Sequence, residues 1–156
     1  MTAIALLLLL GANSGTAVPQ EKLLRLNPEE INALEDQGPG AGTSGVRGIR
    51  SVILSGDPAR DGPYTIEVVV PPHTRIAAHS HRDDRSAVVV SGTWYLGYGV
   101  RPEEAEFKQL TAGSFYTEPA GTPHFAMTKD QGAVVYISGF GPSSTDDVRV
   151  DAVAEP

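Results

Sequence analysis

From Val46 onward the chain is a succession of short runs rich in valine, threonine and tyrosine, separated by clusters of glycine, proline and aspartate. Runs of this kind read as strands and the clusters as turns. Strands are expected from Ile49 to Ser55, from Tyr64 to Val70, after Pro71-Pro72-His73-Thr74, from Ser86 to Val90, from Thr93 to Tyr98 and from Ser114 to Glu118. The runs His124 to Thr128 and Ala133 to Ser138 are expected to pair as a hairpin around Lys129-Asp130-Gln131-Gly132. Turns are expected at Gly56-Asp57-Pro58, Asp61-Gly62-Pro63, Ser91-Gly92, Thr111-Ala112-Gly113 and Pro119 to Pro123. Arg101 to Phe107 is charged and fits either a short exposed helix or a loop. Short strands with regular turn signals, and no long-period repeat, predict an all-β domain closed as a barrel or a jelly roll.

The pattern changes on either side of residues 46–140. Ile4 to Leu10 is uninterruptedly apolar and is followed by small and polar residues from Gly11 to Ala17. This reads as a secretory signal peptide over residues 1–17, with the α-amino group as the leading charge because Met1-Thr2-Ala3 has no lysine or arginine. The run is too short to span a bilayer, so stable membrane insertion is expected only if it stays uncleaved. Cleavage places the mature protein in the periplasm or outside the cell. Residues 18–45 are expected to hold a capped helix and a linker. Asn27 suits the N-cap, Pro28 the first helical position and Glu30 a capping box, with the helix running to Asp36. Ile31 and Leu34 give it a narrow apolar stripe, enough to pack on the outside of a sheet. Gly38-Pro39-Gly40-Ala41-Gly42 then reads as a flexible linker, and the acidic residues 141–156 as a loosely ordered tail.

Composition narrows the function more than the fold. The chain has 156 residues, enough for one domain with a real core. A formal net charge of −7, with no basic patch, argues against a nucleic-acid partner. The absence of cysteine removes disulfides, a thiolate nucleophile and cysteine metal sites. No Ser/His/Asp order, phosphate loop or paired-carboxylate arrangement stands out.

Histidine remains. His79 and His81 are one residue apart, so on a strand they share a face, roughly 6–7 Å apart at the backbone, and can converge on one ion. His124 lies far downstream, in Pro119-Ala120-Gly121-Thr122-Pro123-His124. His73 follows two prolines in a turn and reads as a surface residue.

These residues carry a resemblance. Gly113, then five residues, then Pro119-x-Gly121-x-x-His124 resembles the second cupin motif, with Thr128 where that motif usually ends in asparagine. His79-x-His81, then position 85, then Gly92 has the spacing of the first motif. The resemblance covers about Val46 to Phe140 and is to small, single-domain, often secreted bacterial cupins. It implies a cupin jelly-roll β-barrel and a homodimer. It also implies a divalent metal (iron, zinc, manganese or nickel) held by His79, His81 and His124, and a small organic ligand or substrate at the barrel mouth. The implied chemistry is of dioxygenase or isomerase/lyase type; a non-catalytic ligand- or metal-binding module and a metal-free isomerase are the alternatives.

Two positions depart from the family pattern: His73 replaces its opening glycine, and Arg85 stands where the family has a glutamate ligand. An arginine beside a dication repels it. A bulge between His81 and Arg85 would turn the side chain outward. Pairing with Asp83, Asp84 or Glu118 would neutralise it. Alternatively it points inward and binds an anionic substrate. The first two together are the preferred expectation. Asp83 or Asp84 is also open as a substitute ligand.

Overall fold

The computed structural model describes residues 23–148. The expected signal segment and the last residues of the acidic tail lie outside them. The chain order is α1 (Pro28–Asn32), β1 (Arg50–Ser55), β2 (Gly62–Val70), β3 (Arg75–Ser80), β4 (Arg85–Tyr98), β5 (Lys108–Thr111), β6 (Phe115–Glu118), β7 (His124–Met127), β8 (Ala133–Gly141) and β9 (Asp146–Asp147). A single 3₁₀ turn, Glu104–Glu106, occupies the charged stretch between β4 and β5.

All strand pairs are antiparallel. One sheet runs β1-β2-β8-β4-β6 and the other β5-β4-β7-β3-β9, so β4 belongs to both and the whole curls around one lumen as a jelly roll. Tyr64, Ile66, Val68 and Val70 from β2, Ala87 and Val89 from β4, and Val135 and Ile137 from β8 fill the core.

Two irregularities decide what faces that lumen. In β3 the register slips between Ile76 and His79. Ile76 is buried at an even position and His79 and His81 at odd ones. Strict alternation would put them on opposite faces; the slip brings them to the same one. In β4 the slip falls between Val89 and Ser91, so Val89 and then Trp94 and Leu96 are buried in turn. The expected turn at Ser91-Gly92 is therefore not a chain reversal. The strand passes through it from one sheet to the other. Gly92 has φ 75°, and a Cβ there would lie 2.0 Å from the Gly132 carbonyl oxygen.

Further expectations are corrected by the pairing. β7 and β8 do not form a hairpin: β7 lies between β3 and β4, and β8 between β2 and β4. Both runs are apolar enough for either sheet, and the chain crosses between sheets at Lys129 to Gly132. The helix stops at Asn32, well before Asp36, although its capping box forms as expected between Asn27 and Glu30. Gly38 to Gly42 is not a free linker, since Arg85 Nη1 donates to the Gly42 carbonyl at 2.8 Å and Thr145 Oγ1 to that of Thr43 at 2.5 Å. Nor are residues 141–148 loose: β9 pairs with β3, and Ser143 Oγ donates to Asp83 at 2.6 Å. The polarity that suggested disorder here serves as hydrogen bonding to the barrel. No helix among the described residues is long and apolar enough to cross a membrane.

Candidate metal centre

His79 is the last residue but one of β3, His81 follows the strand and His124 opens β7, with His79 and His124 directly opposite each other in the pairing. The loop before His124 is tied to the first pair by a 2.7 Å bond from the Gly121 amide to the His81 carbonyl. Each ring is oriented by a backbone carbonyl. Nδ1 of His79 meets Ala77 O at 2.8 Å, that of His81 meets Ser144 O at 2.7 Å, and that of His124 meets Thr122 O at 3.1 Å. A carbonyl only accepts, so each Nδ1 carries the proton and each Nε2 presents a lone pair. Ligand atoms of the three histidines lie within 4.8 Å of one another, and all three residues are buried.

Nε2 of His81 and of His124 is buried without a hydrogen-bond partner among the described residues. Buried polar atoms are ordinarily satisfied, so converging orphan lone pairs fit a bound cation. Burial, and then the neighbouring His124, lowers His79 to about 4. Burial, and then Arg85, lowers His81 to about 3. Both rings are neutral at pH 7, the form that ligates metal.

Arg85 does not turn outward. The expected bulge between His81 and Arg85 is absent, and the odd-numbered His81, Asp83 and Arg85 are buried in turn. The second expectation holds instead: Arg85 pairs with Glu118, its opposite residue on β6. Nε donates to Glu118 Oε2 at 2.7 Å and Nη2 donates to the same oxygen. Burial alone would raise the Glu118 carboxyl, but Arg85, followed by His124, holds it below its usual value. The guanidinium in turn is held charged by Glu118 against the effect of its own burial. Together they put a neutral ion pair, rather than a bare cation, beside the histidines.

The two aspartates stay away from the site. Asp83 is buried but accepts from Tyr64 Oη at 2.7 Å and from Ser143, tying β2 to the C-terminal segment. Asp84 accepts from the Ala120 amide at 2.8 Å and steadies the loop before His124. Neither substitutes as a ligand. Thr128, in the place of the usual asparagine, bonds the β2–β3 turn through Pro71 O and the Thr74 amide. His73, in the place of the family glycine, is exposed and has a positive φ of 57°.

His79, His124, Arg85 and Glu118 line a cavity of about 30 Å³ together with apolar walls from Val68, Ile76, Leu96 and Ile137. Gly42, Thr43 and Ser44 also line it. That segment, and the carbonyls of Ala77, Thr122 and Ser144, escaped the sequence reading because backbone groups carry no side-chain signature. Trp94 and Tyr116 also line the cavity, and the Trp94 Nε1–H and the Tyr116 hydroxyl are both buried.

No protein-family model and no curated protein matches the sequence. Solved structures do match the fold. The polyketide cyclase RemF from Streptomyces resistomycificus superposes with a TM-score of 0.63 at 18% identity, over 84% of this chain and 89% of that one. A sugar phosphate isomerase of the cupin superfamily from Silicibacter pomeroyi gives 0.57 at 19%, over 78% and 81%. An RmlC-like cupin from Shewanella frigidimarina gives 0.56 at 18%, over 86% and 99%. Likeness at such identities speaks for architecture and not for reaction. By its two shared sheets, the histidines converging inside them and these neighbours, the chain has the cupin jelly-roll fold.

Proposed function

We infer that the chain is a metal-dependent enzyme acting on a small organic molecule, with His79, His81 and His124 as the ligands. The carrying observation is the set of buried imidazoles whose Nδ1 atoms are fixed by carbonyls and whose Nε2 atoms converge. Bound there, a divalent ion such as iron, zinc, manganese or nickel supplies a Lewis acid with open coordination positions. The protein supplies the rest. Three neutral ligands leave the ion its full charge, and Arg85 is neutralised by Glu118, so it does not oppose binding. Apolar side chains surround the ligands, with Trp94 and Tyr116 among the residues that line the cavity. Oxygenase and isomerase/lyase chemistry both suit such a site.

One observation favours a non-catalytic binding module instead. The cavity of about 30 Å³ has room for about two waters, so a substrate needs its lining to move. Elemental analysis of untagged protein, grown with these metals supplied, tests the reading. About one ion per chain is expected, and it should be lost in the His79→Ala/His124→Ala variant. Metal-free wild type, or metal retained by the variant, overturns it. Export to the periplasm or beyond is part of the same proposal and rests on the apolar run Ile4 to Leu10. A mature chain that retains Met1 would defeat it.

A further inference from the structure

We propose that Glu118 supplies the fourth donor of this centre, so that the acidic ligand and the residue facing it have exchanged places across the β4–β6 pair. The proposal rests on the metal reading above and concerns which side chain completes it. In the pattern this chain resembles, the acid belongs on β4, where Arg85 stands. Glu118 is the residue directly opposite on β6. Directly opposed residues share a face with Cβ atoms about 4.5–5.5 Å apart. A carboxylate moved across that gap therefore still reaches the same side of the lumen.

The hydrogen bonds separate the two carboxylate oxygens. Nε and Nη2 of Arg85 both donate to Oε2. Oε1 takes neither of these bonds and lies 3.5 Å from His124 Nε2. That nitrogen presents a lone pair, because His124 donates through Nδ1 to Thr122 O. Two acceptors thus face each other at a distance longer than an N–H···O hydrogen bond. The spacing matches two ligands that share one ion, since tetrahedral ligands about 2.1 Å from a metal are about 3.4 Å apart. Glu118 is buried, with a side chain only 5% exposed.

The exchange also alters the charge of the centre. A glutamate ligand alone leaves a dication with one net positive charge. Here the acid brings Arg85 with it, the pair sums to zero, and the full double charge is retained. An open position on such an ion favours a small anionic ligand, a carboxylate or an enolate, over a neutral one.

Cobalt(II) titration of metal-stripped protein, followed by visible absorption, tests the assignment. The informative variant is Glu118→Gln with Arg85→Gln, which removes both charges and leaves the net charge of the site unchanged. Its Co²⁺ affinity should fall at least tenfold, at about the range seen when groups supporting metal ligands are lost, and its absorption band should change. Should that variant not fold, Glu118→Asp carries the same expectation, because it keeps the charge and withdraws the carboxylate by one methylene. Affinity within twofold of wild type with an unchanged band would show Glu118 to be only the partner of Arg85. Wild type that takes up no Co²⁺ would instead sink the metal reading itself.

Discussion

Among single residues, the histidines were legible and the arginine's direction was not. His79, His81 and His124 could be singled out because each holds its place in the two motifs that the chain resembles. Simple alternation from His81 also pointed Arg85 inward; the expected bulge displaced that reading, because an unpaired cation beside a metal is costly. Glu118 was one of three carboxylates open as the partner of Arg85; it lies 33 residues downstream, and only strand register singles it out. The same burial gives a pH dependence. His79 and His81 titrate near 6.5 when unfolded and at about 4 and about 3 when folded. Above pH 6.5 neither state holds the protons. Below it the unfolded chain takes them up and the native chain does not, so stability is lost as pH falls. The urea midpoint of metal-free protein should be flat from pH 7 to 8 and drop between pH 6.5 and 4.5. Glu118 adds to the loss only below about 4.5, its ordinary value. A midpoint that rose on acidification would contradict the neutral assignment.

At the scale of elements, the strands themselves were legible and their connections were not. β2, β6 and β8 begin within a few residues of the expected positions, because runs of β-branched and aromatic residues mark them. A glycine after a serine looks the same whether the chain reverses or merely changes sheets. Gly92 distinguishes the two outcomes. It has a positive φ, and the Gly132 backbone occupies the place of a Cβ. Gly92→Ala should cost about 2–4 kcal/mol in denaturant unfolding, since backbone must move in both strands. Gly113 has a similar φ of 85° but open space around it, and Gly113→Ala should cost only about 1 kcal/mol. Equal costs at the two sites would mean that β4 does not need the close approach at its crossover.

Across the whole molecule, the barrel was legible and the segments that close it were not, because glycine-rich and acidic stretches read as solvent-facing. Arg50 ties α1 to β1 through the carbonyls of Ile31, Asn32 and Leu34 and reaches Glu67 at 3.2 Å. Further along that row the outer face is bare: Tyr136, Val88 and Phe115 stand side by side on β8, β4 and β6, with Val88 41% and Phe115 63% exposed. A second copy of the chain is the proposed occupant, following the homodimer that the resemblance implies. Light scattering should give a dimer for wild type and a monomer for Phe115→Asp; a monomeric wild type removes the proposal. The segment Gly42 to Ser44, which lines the cavity, has a different consequence. Its Gly42 carbonyl and the Glu118 carboxylate hang on the same guanidinium. A shift of that segment and a shift of the Glu118 carboxylate are coupled through this one side chain, so neither can loosen without disturbing the other.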